Sequence, residues 1–234
     1  MKLLISPINK EEAIVASKGG ADIVDVKNPK EGSLGANFPW VIRDVKEAVN
    51  GKQPISATIG DFNFKPGTAS QAALGAAVSG ADYIKVGLFD IQTEEQALEL
   101  LNAIVKAVKD FDPAKKVVAS GYSDYKRINS ISPLLLPPLV AKAGADVVMV
   151  DTGIKDGKST FEFMSEAELR KFTELAHANG LENAIAGSLK FEDLPVLEKI
   201  GPDIIGVRGM VCGGDRSTSI RQELVEKLVR ESRA

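Results

Sequence analysis

Two lysines in a repeated pattern are the residues of this sequence most able to do chemistry. Lys27 follows the run Ile23–Val26, and Lys85 lies within the run Tyr83–Val86. An ordinary lysine is charged at neutral pH, but burial or a neighbouring cation lowers its pKa and frees the amine to attack a carbonyl carbon. The resulting imine acidifies a neighbouring C–H bond, which a second amine or a carboxylate can deprotonate. We therefore expect imine and proton-transfer chemistry on a small carbonyl compound.

The two lysines belong to a segment that occurs four times along the chain. Each copy starts with a glycine, has an aspartate two residues later and continues into a β-branched run; the copies begin at Gly20, Gly80, Gly144 and Gly201. The glycine is typical of a helix end, and the β-branched run is typical of a strand that is buried on both faces. Because the repeat of about 60 residues is twice the length of one strand–helix unit, each repeat holds two units.

Further strand-like runs lie between the four copies, and helical patterns fill the remaining segments. These strands are predicted at Leu3–Ser6, Ile55–Ile59, Val117–Ser120 and Ala184–Ala186. The helices are predicted near Lys10–Lys18, Pro39–Val49, Ser70–Ser79, Thr93–Lys109, Pro133–Ala143, Ser165–Ala178, Phe191–Ile200 and Ser219–Arg233. This alternation predicts one α/β domain over residues 1–234, a closed (β/α)8 TIM barrel, with a doubly wound open sheet as the alternative.

Alternation along the repeated strands assigns charged residues to the inside of the barrel. Side chains of a strand point alternately to two faces, and one face of each copy carries only aliphatic residues. The aliphatic face must pack under the helices, so the other face lines the barrel. That face carries Asp25, Lys27, Lys85, Asp151 and Arg208 toward the carboxyl ends of the strands. Barrel enzymes place their chemistry at this end, although a purely structural ion-pair network would use the same residues.

The loops after the last three strands supply further candidates. Lys155 follows the sixth strand, where it is either an additional cation or acid for the substrate or a solvated loop residue. Barrels often bind phosphate at the loops after strands seven and eight. The candidate phosphate-binding residues there are Gly187, Ser188, Arg208, Gly209, Gly213, Gly214 and Arg216. A second glycine-rich loop at residues 28–36 leaves room for another anionic group, so we expect a phosphorylated substrate.

Composition excludes several classes of function. The chain has 234 residues, of which 44% are hydrophobic and 26% charged, as in ordinary globular proteins. A net charge of −3 gives no reason to expect a nucleic acid or a membrane as partner, and no apolar run is long enough to span a bilayer. With Cys212 and His177 as the single residues of their types, we expect no metal and no cofactor. We expect a cytoplasmic homo-oligomer.

One long motif resembles a known family. The segment from Asp25 to Ala36, Asp-Val-Lys-Asn-Pro-Lys-Glu-Gly-Ser-Leu-Gly-Ala, resembles the (5-formylfuran-3-yl)methyl phosphate synthases, as do Lys85 and the residues from Asp151 to Lys155. These lyases are also called 4-(hydroxymethyl)-2-furancarboxaldehyde phosphate synthases. The resemblance implies condensation of two molecules of glyceraldehyde 3-phosphate, with loss of phosphate and water, in the synthesis of methanofuran for methanogenesis.

The same resemblance implies roles for individual residues. Lys27 would form the Schiff base and Lys85 would accept the proton, while Asp25, Asp151 and Lys155 would assist. Two alternatives stay open on the sequence alone. Another Schiff-base class I aldolase or decarboxylase of sugar phosphates would use the same residues for turnover, and a non-catalytic barrel that binds a phosphorylated metabolite would use them only for binding.

Overall fold

A computed structural model describes residues 1–233 and shows a closed barrel of parallel strands, which confirms the predicted (β/α)8 fold. The strands are β1 (Lys2–Ile5), β2 (Ile23–Val26), β3 (Ile55–Asn63), β4 (Tyr83–Asp90), β5 (Lys116–Tyr122), β6 (Val147–Asp151), β7 (Glu182–Ile185) and β8 (Ile204–Val207). Each strand pairs with the next, and β1 closes the ring against β8. The α-helices are α1 (Lys10–Gly19), α2 (Pro39–Val49), α3 (Pro66–Val78), α4 (Glu94–Phe111), α5 (Leu136–Lys142), α6 (Glu166–Ala178), α7 (Leu194–Ile200) and α8 (Gln222–Glu231).

The repeated glycine and aspartate explain why the pattern spans two strand–helix units. All four repeat glycines adopt positive φ, a conformation that residues with a Cβ rarely adopt. The carboxylate of the aspartate two residues later accepts a hydrogen bond from a backbone N–H of the preceding strand, so each copy joins two neighbouring strands. The four bonds run from Leu3 to Asp22, from Ile55 to Asp82, from Val117 to Asp146 and from Asn183 to Asp203.

Two apolar clusters confirm the predicted assignment of strand faces. The larger one packs between strands and helices and contains the aliphatic face of the repeated strands, such as Val24 and Ile84. The smaller one fills the lower part of the barrel interior with Leu4, Ile23, Tyr83, Val118, Val147, Met149, Ala184, Ala186 and Ile204. Polar side chains therefore occupy the interior toward the carboxyl ends of the strands, called the mouth below.

Several element boundaries differ from the prediction. The third strand continues past Ile59 to Asn63, and its register with β4 shifts between Thr58 and Asp61, so a bulge changes which side chains face inward. The last helix begins at Gln222 rather than Ser219, because the preceding residues form the long loop after β8. Within residues 1–233, no helix combines the length and the apolar character that crossing a membrane requires.

Candidate active site

A cavity of about 660 Å³ opens at the mouth of the barrel. Its floor contains Lys27 and Lys85, and Asp151 and Lys155 line one side. The loops after β7 and β8 form the adjoining wall. This volume lies within the usual range for small-molecule sites, and the cavity lies at the end of the barrel where the alternation of side chains predicts chemistry.

Lys85 and Asp25 form a buried ion pair at the floor of the cavity. The Lys85 Nζ lies 2.7 Å from Asp25 Oδ2, and the two side chains are 1% and 0% exposed. The hydroxyls of Ser6 and Ser56 also donate to Asp25, at 2.9 and 2.6 Å. Burial alone would raise the pKa of Asp25, but the charges of Lys85 and Lys27 and these hydrogen bonds keep it below the ordinary value. Asp25 therefore stays ionised and fixes the position of Lys85.

Asp151 and Lys155 form a second ion pair at the side of the cavity. The Lys155 amine donates to Asp151 Oδ1 and also to the hydroxyl oxygen of Thr152, at 2.9 Å. Burial raises the pKa of Asp151, but the charges of Lys155 and Lys27 outweigh this effect and hold the pKa below its ordinary value. Lys155 is thus not the solvated loop lysine of the alternative interpretation, because its side chain is largely buried against Asp151.

Lys27 differs from the other two lysines because its amine has no ion-pair or hydrogen-bond partner among the described residues, although it is only 7% exposed. Burial is the largest cause that lowers its pKa, and the carboxylates of Asp151 and Asp25 oppose it. The positive charges of Lys155 and Lys85 lower the pKa further, to about 7 from an ordinary 10.5. About half of the Lys27 amines are therefore neutral at pH 7, which makes Lys27 the strongest nucleophile of the cluster.

The loop after β7 presents free backbone N–H groups to the cavity. The N–H groups of residues 187–189 find no acceptor in the described part of the chain. Gly187 and Ser188 both have positive φ, and a Cβ on Gly187 would lie only 2.2 Å from Thr160 Oγ1. A serine with positive φ is uncommon, and such backbone conformations are frequent at binding sites. Adjacent N–H groups of this kind suit an anion such as a phosphate.

The two arginines that sequence reasoning assigned to phosphate binding have different surroundings. Arg208 forms a buried ion pair with Glu12 of α1 at 2.7 Å. Its other N–H groups donate to the backbone carbonyls of Ser6, Arg216 and Thr218. Arg208 therefore fastens the loop after β8 and also lines the cavity, and its direct contact with a phosphate stays a prediction. Arg216 lines the cavity, and one of its buried guanidinium nitrogens has no partner in residues 1–233. Gly209, Gly213 and Gly214 line the same wall.

Sequence reasoning missed a group of residues at the mouth. The Tyr122 hydroxyl donates to Asp61, which also accepts the Leu34 N–H at 3.1 Å. Burial raises the pKa of Asp61 and of Tyr122. Alternation along β5, from Val118 through Ser120 to Tyr122, is a signal that could have found Tyr122. Alternation along β3 would not place Asp61 on the inner face, because the bulge shifts the register before this residue.

The arrangement is suited to imine chemistry. A partly neutral amine lies beside two ammonium–carboxylate pairs, so a nucleophile, proton donors and proton acceptors lie together in one site. Within residues 1–233, no three histidine, cysteine, aspartate or glutamate side chains come together in a way that would hold a metal ion.

Comparisons with known proteins identify the family. A family model described as 4-HFC-P synthase matches residues 3–229. The (5-formylfuran-3-yl)methyl phosphate synthase of Methanosarcina barkeri is 86% identical over 234 residues, which is 100% of both chains. The synthase of the same name from Archaeoglobus fulgidus is 60% identical over 231 residues, which is 98% of both chains. The crystal structure of phosphoribosyl anthranilate isomerase from Thermus thermophilus covers 99% of this chain and 98% of its own, with a TM-score of 0.64 and 18% identity, a likeness of fold alone. The chain therefore belongs to the 4-HFC-P synthase family, and it is an enzyme.

Proposed function

We propose that this enzyme condenses two molecules of glyceraldehyde 3-phosphate, through an imine on Lys27, into (5-formylfuran-3-yl)methyl phosphate for methanofuran biosynthesis. The observation that carries the proposal is the amine of Lys27, whose pKa is about 7 and which has no partner in the described chain. Family membership supports the furan product and decides against the alternative of a non-catalytic binding protein. By atom balance, two triose phosphates give this product with the release of one phosphate and two waters.

The first triose reacts at its aldehyde carbon. The neutral amine of Lys27 adds to this carbon, and the Lys85 ammonium protonates the hydroxyl that leaves as water. Neutral Lys85 then removes the proton from C2, since that C–H bond is acidified by the protonated imine. The electron pair moves to expel phosphate from C3, which leaves an enol whose C3 is nucleophilic. Asp25, which is ion-paired to Lys85, holds that amine beside the imine throughout.

The second triose reacts as a ketone. The same imine and base chemistry converts glyceraldehyde 3-phosphate to its ketone isomer, and C3 of the bound enol attacks the ketone carbon. The terminal hydroxyl of the second triose then closes the ring onto C2 of the first, and two dehydrations produce the aromatic furan. The Lys155–Asp151 pair lies along the cavity wall, where it can donate the protons that the departing water molecules need. Hydrolysis of the imine restores Lys27.

The phosphates are proposed to lie against the wall formed by the loops after β7 and β8. The candidate ligands are Gly187, Ser188, Gly209, Gly213, Gly214 and Arg216. Free N–H groups in residues 187–189 and the unpartnered nitrogen of Arg216 support this assignment. Arg208 also lines the cavity, and it fixes the loop that carries Arg216.

Incubation with glyceraldehyde 3-phosphate alone tests the proposed reaction. We expect a furan absorbance to appear with one phosphate released for each furan formed. The Lys27→Met variant should form no furan, whereas Lys106→Met, at an exposed lysine of α4, should retain full activity. Formation of a six-carbon sugar bisphosphate without phosphate release would instead indicate a simple aldolase.

A further inference from the structure

One fully buried leucine lies among polar groups rather than in an apolar core. Leu34, in the loop of residues 28–36 between β2 and α2, is 0% exposed but belongs to neither apolar cluster. A Cβ on Gly87 would lie 3.2 Å from Leu34 Cδ1 and 2.0 Å from the Tyr122 hydroxyl oxygen. Because Gly87 is two residues beyond Lys85 on the same face of β4, the Leu34 side chain lies in the mouth of the barrel above Lys85.

Side chains of β3 hold both backbone groups of Leu34. The Leu34 N–H donates to the Asp61 carboxylate at 3.1 Å, and the Leu34 carbonyl accepts the hydroxyl of Thr58. The neighbouring residue Ser33 donates to the carbonyl of Thr152 at 2.7 Å, just beyond the end of β6. The loop is therefore fastened across the mouth from β2 to β3 and β6.

The same loop returns to the end of the strand that carries Lys27. The Asn28 N–H donates to the Gly35 carbonyl at 2.9 Å. A Cβ on Gly35 would lie only 2.1 Å from the Asn28 carbonyl oxygen, so this approach requires glycine. Since Asn28 follows Lys27 and Gly35 follows Leu34, the closure of the loop brings Leu34 next to the strand end that positions Lys27.

The charges that face Lys27 nearly balance one another. They are the carboxylates of Asp25 on β2 and Asp151 on β6, and the ammonium groups of Lys85 on β4 and Lys155 after β6. With two cations and two anions nearby, exclusion of water rather than net charge is the main cause of the reactive state of Lys27, and burial is accordingly its largest contribution.

We propose that Leu34, held by Asp61 and Thr58, is a positioning residue that seals Lys27 and Lys85 from water on the β3–β4 side of the mouth, which the open cavity does not reach, and so keeps Lys27 a reactive amine. This inference rests on the proposed function, in which Lys27 is the nucleophile. A leucine suits the task because it fills the mouth above Lys85 without offering a hydrogen bond to water or substrate.

Reductive methylation with formaldehyde and cyanoborohydride, followed by peptide mass mapping, tests the seal without the natural substrate. The rate at Lys27 is measured between pH 5.5 and 9.5, with Lys106, whose side chain is 76% exposed, as an internal reference. In the wild type we expect the midpoint of the Lys27 profile near pH 7. Leu34→Ala and Leu34→Asn should raise this midpoint by about one pH unit or more. The methylation rate of Lys27 at pH 7, divided by its maximal rate at high pH, should then fall about fivefold. Leu34→Met, which refills the space, should restore the wild-type midpoint.

A matched control distinguishes the effect of opening the seal from the effect of a general loss of packing. Leu88 is as buried as Leu34 but lies on the outer face of β4, under the helices. Leu88→Ala should lower the thermal stability and leave the Lys27 midpoint unchanged. If the wild-type midpoint is near 7 and both Leu34→Ala and Leu34→Asn keep it, the seal is wrong while the proposed function stands. A wild-type midpoint close to that of Lys106 would contradict both.

Discussion

Replacement of Lys27 by methionine is expected to stabilise the folded enzyme at pH 6, because it removes a buried amine that is charged there. Methionine keeps the apolar stem of the side chain and cannot ionise. The pKa of Lys27 is about 7 in the folded enzyme and 10.5 in an unperturbed lysine. At about 1.4 kcal/mol per pKa unit, this difference means that the protonated Lys27 side chain costs the folded state about 5 kcal/mol relative to the unfolded chain.

The pH dependence of this effect has a definite sign. Below pH 7 both the folded and the unfolded wild-type chains carry the proton, so the cost of the buried ammonium is fully present. Between pH 7 and 10.5 the unfolded chain keeps a proton that the folded enzyme has released, and the wild-type stability rises with pH relative to the variant. The advantage of Lys27→Met should therefore shrink by about 3 kcal/mol between pH 6 and pH 9.5.

Urea denaturation of both proteins across this pH range at constant ionic strength measures the effect. Lys106→Met serves as the control, since its exposed side chain should give a difference from wild type that does not change with pH. A pH-independent difference for Lys27→Met would refute the reasoning, because it would mean that Lys27 titrates as an ordinary lysine. A difference that grows with pH would mean that Lys27 is an ion-paired lysine with a raised pKa.

Three further predictions concern the neighbours of Lys27 and the loop after β8. Asp151→Asn removes the largest charge that favours protonated Lys27, so the methylation midpoint of Lys27 should fall below 7, and an upward shift would contradict the assigned electrostatics. Glu12→Ala leaves Arg208 buried without its carboxylate and should cost about 3–5 kcal/mol in the free energy of unfolding; a loss under 1 kcal/mol in urea titrations would argue against the pairing. Arg216→Met should raise the KM for glyceraldehyde 3-phosphate by about tenfold to a hundredfold through loss of a charge-assisted hydrogen bond, and an unchanged KM would place the phosphates elsewhere.

The barrel and its reactive residues could be predicted because their signals are local. The Gly-x-Asp pattern marks each helix-to-strand turn, and the structure shows the aspartate bonding to the preceding strand. Alternation of side chains within single strands was enough to place Lys27, Lys85 and Asp151 in the same interior.

Interactions between distant parts of the chain could not be predicted in this way. Arg208 pairs with Glu12, which is 196 residues away and on a different element, so sequence reasoning could not show that this arginine fastens a loop. The inward position of Asp61 depends on a bulge that no local pattern reveals. Alternation also gave no means of telling which carboxylate pairs with which lysine. The homo-oligomeric state and the cytoplasmic location stay predictions.

Sodium borohydride reduction in the presence of glyceraldehyde 3-phosphate tests the proposed imine most directly. The enzyme is reduced while substrate is present, digested and mapped by mass spectrometry. We predict a stable triose-derived adduct on the peptide that contains Lys27, and no adduct in the Lys27→Met variant. An adduct on Lys85 or Lys155 with Lys27 unmodified would contradict the assignment of Lys27 as the nucleophile.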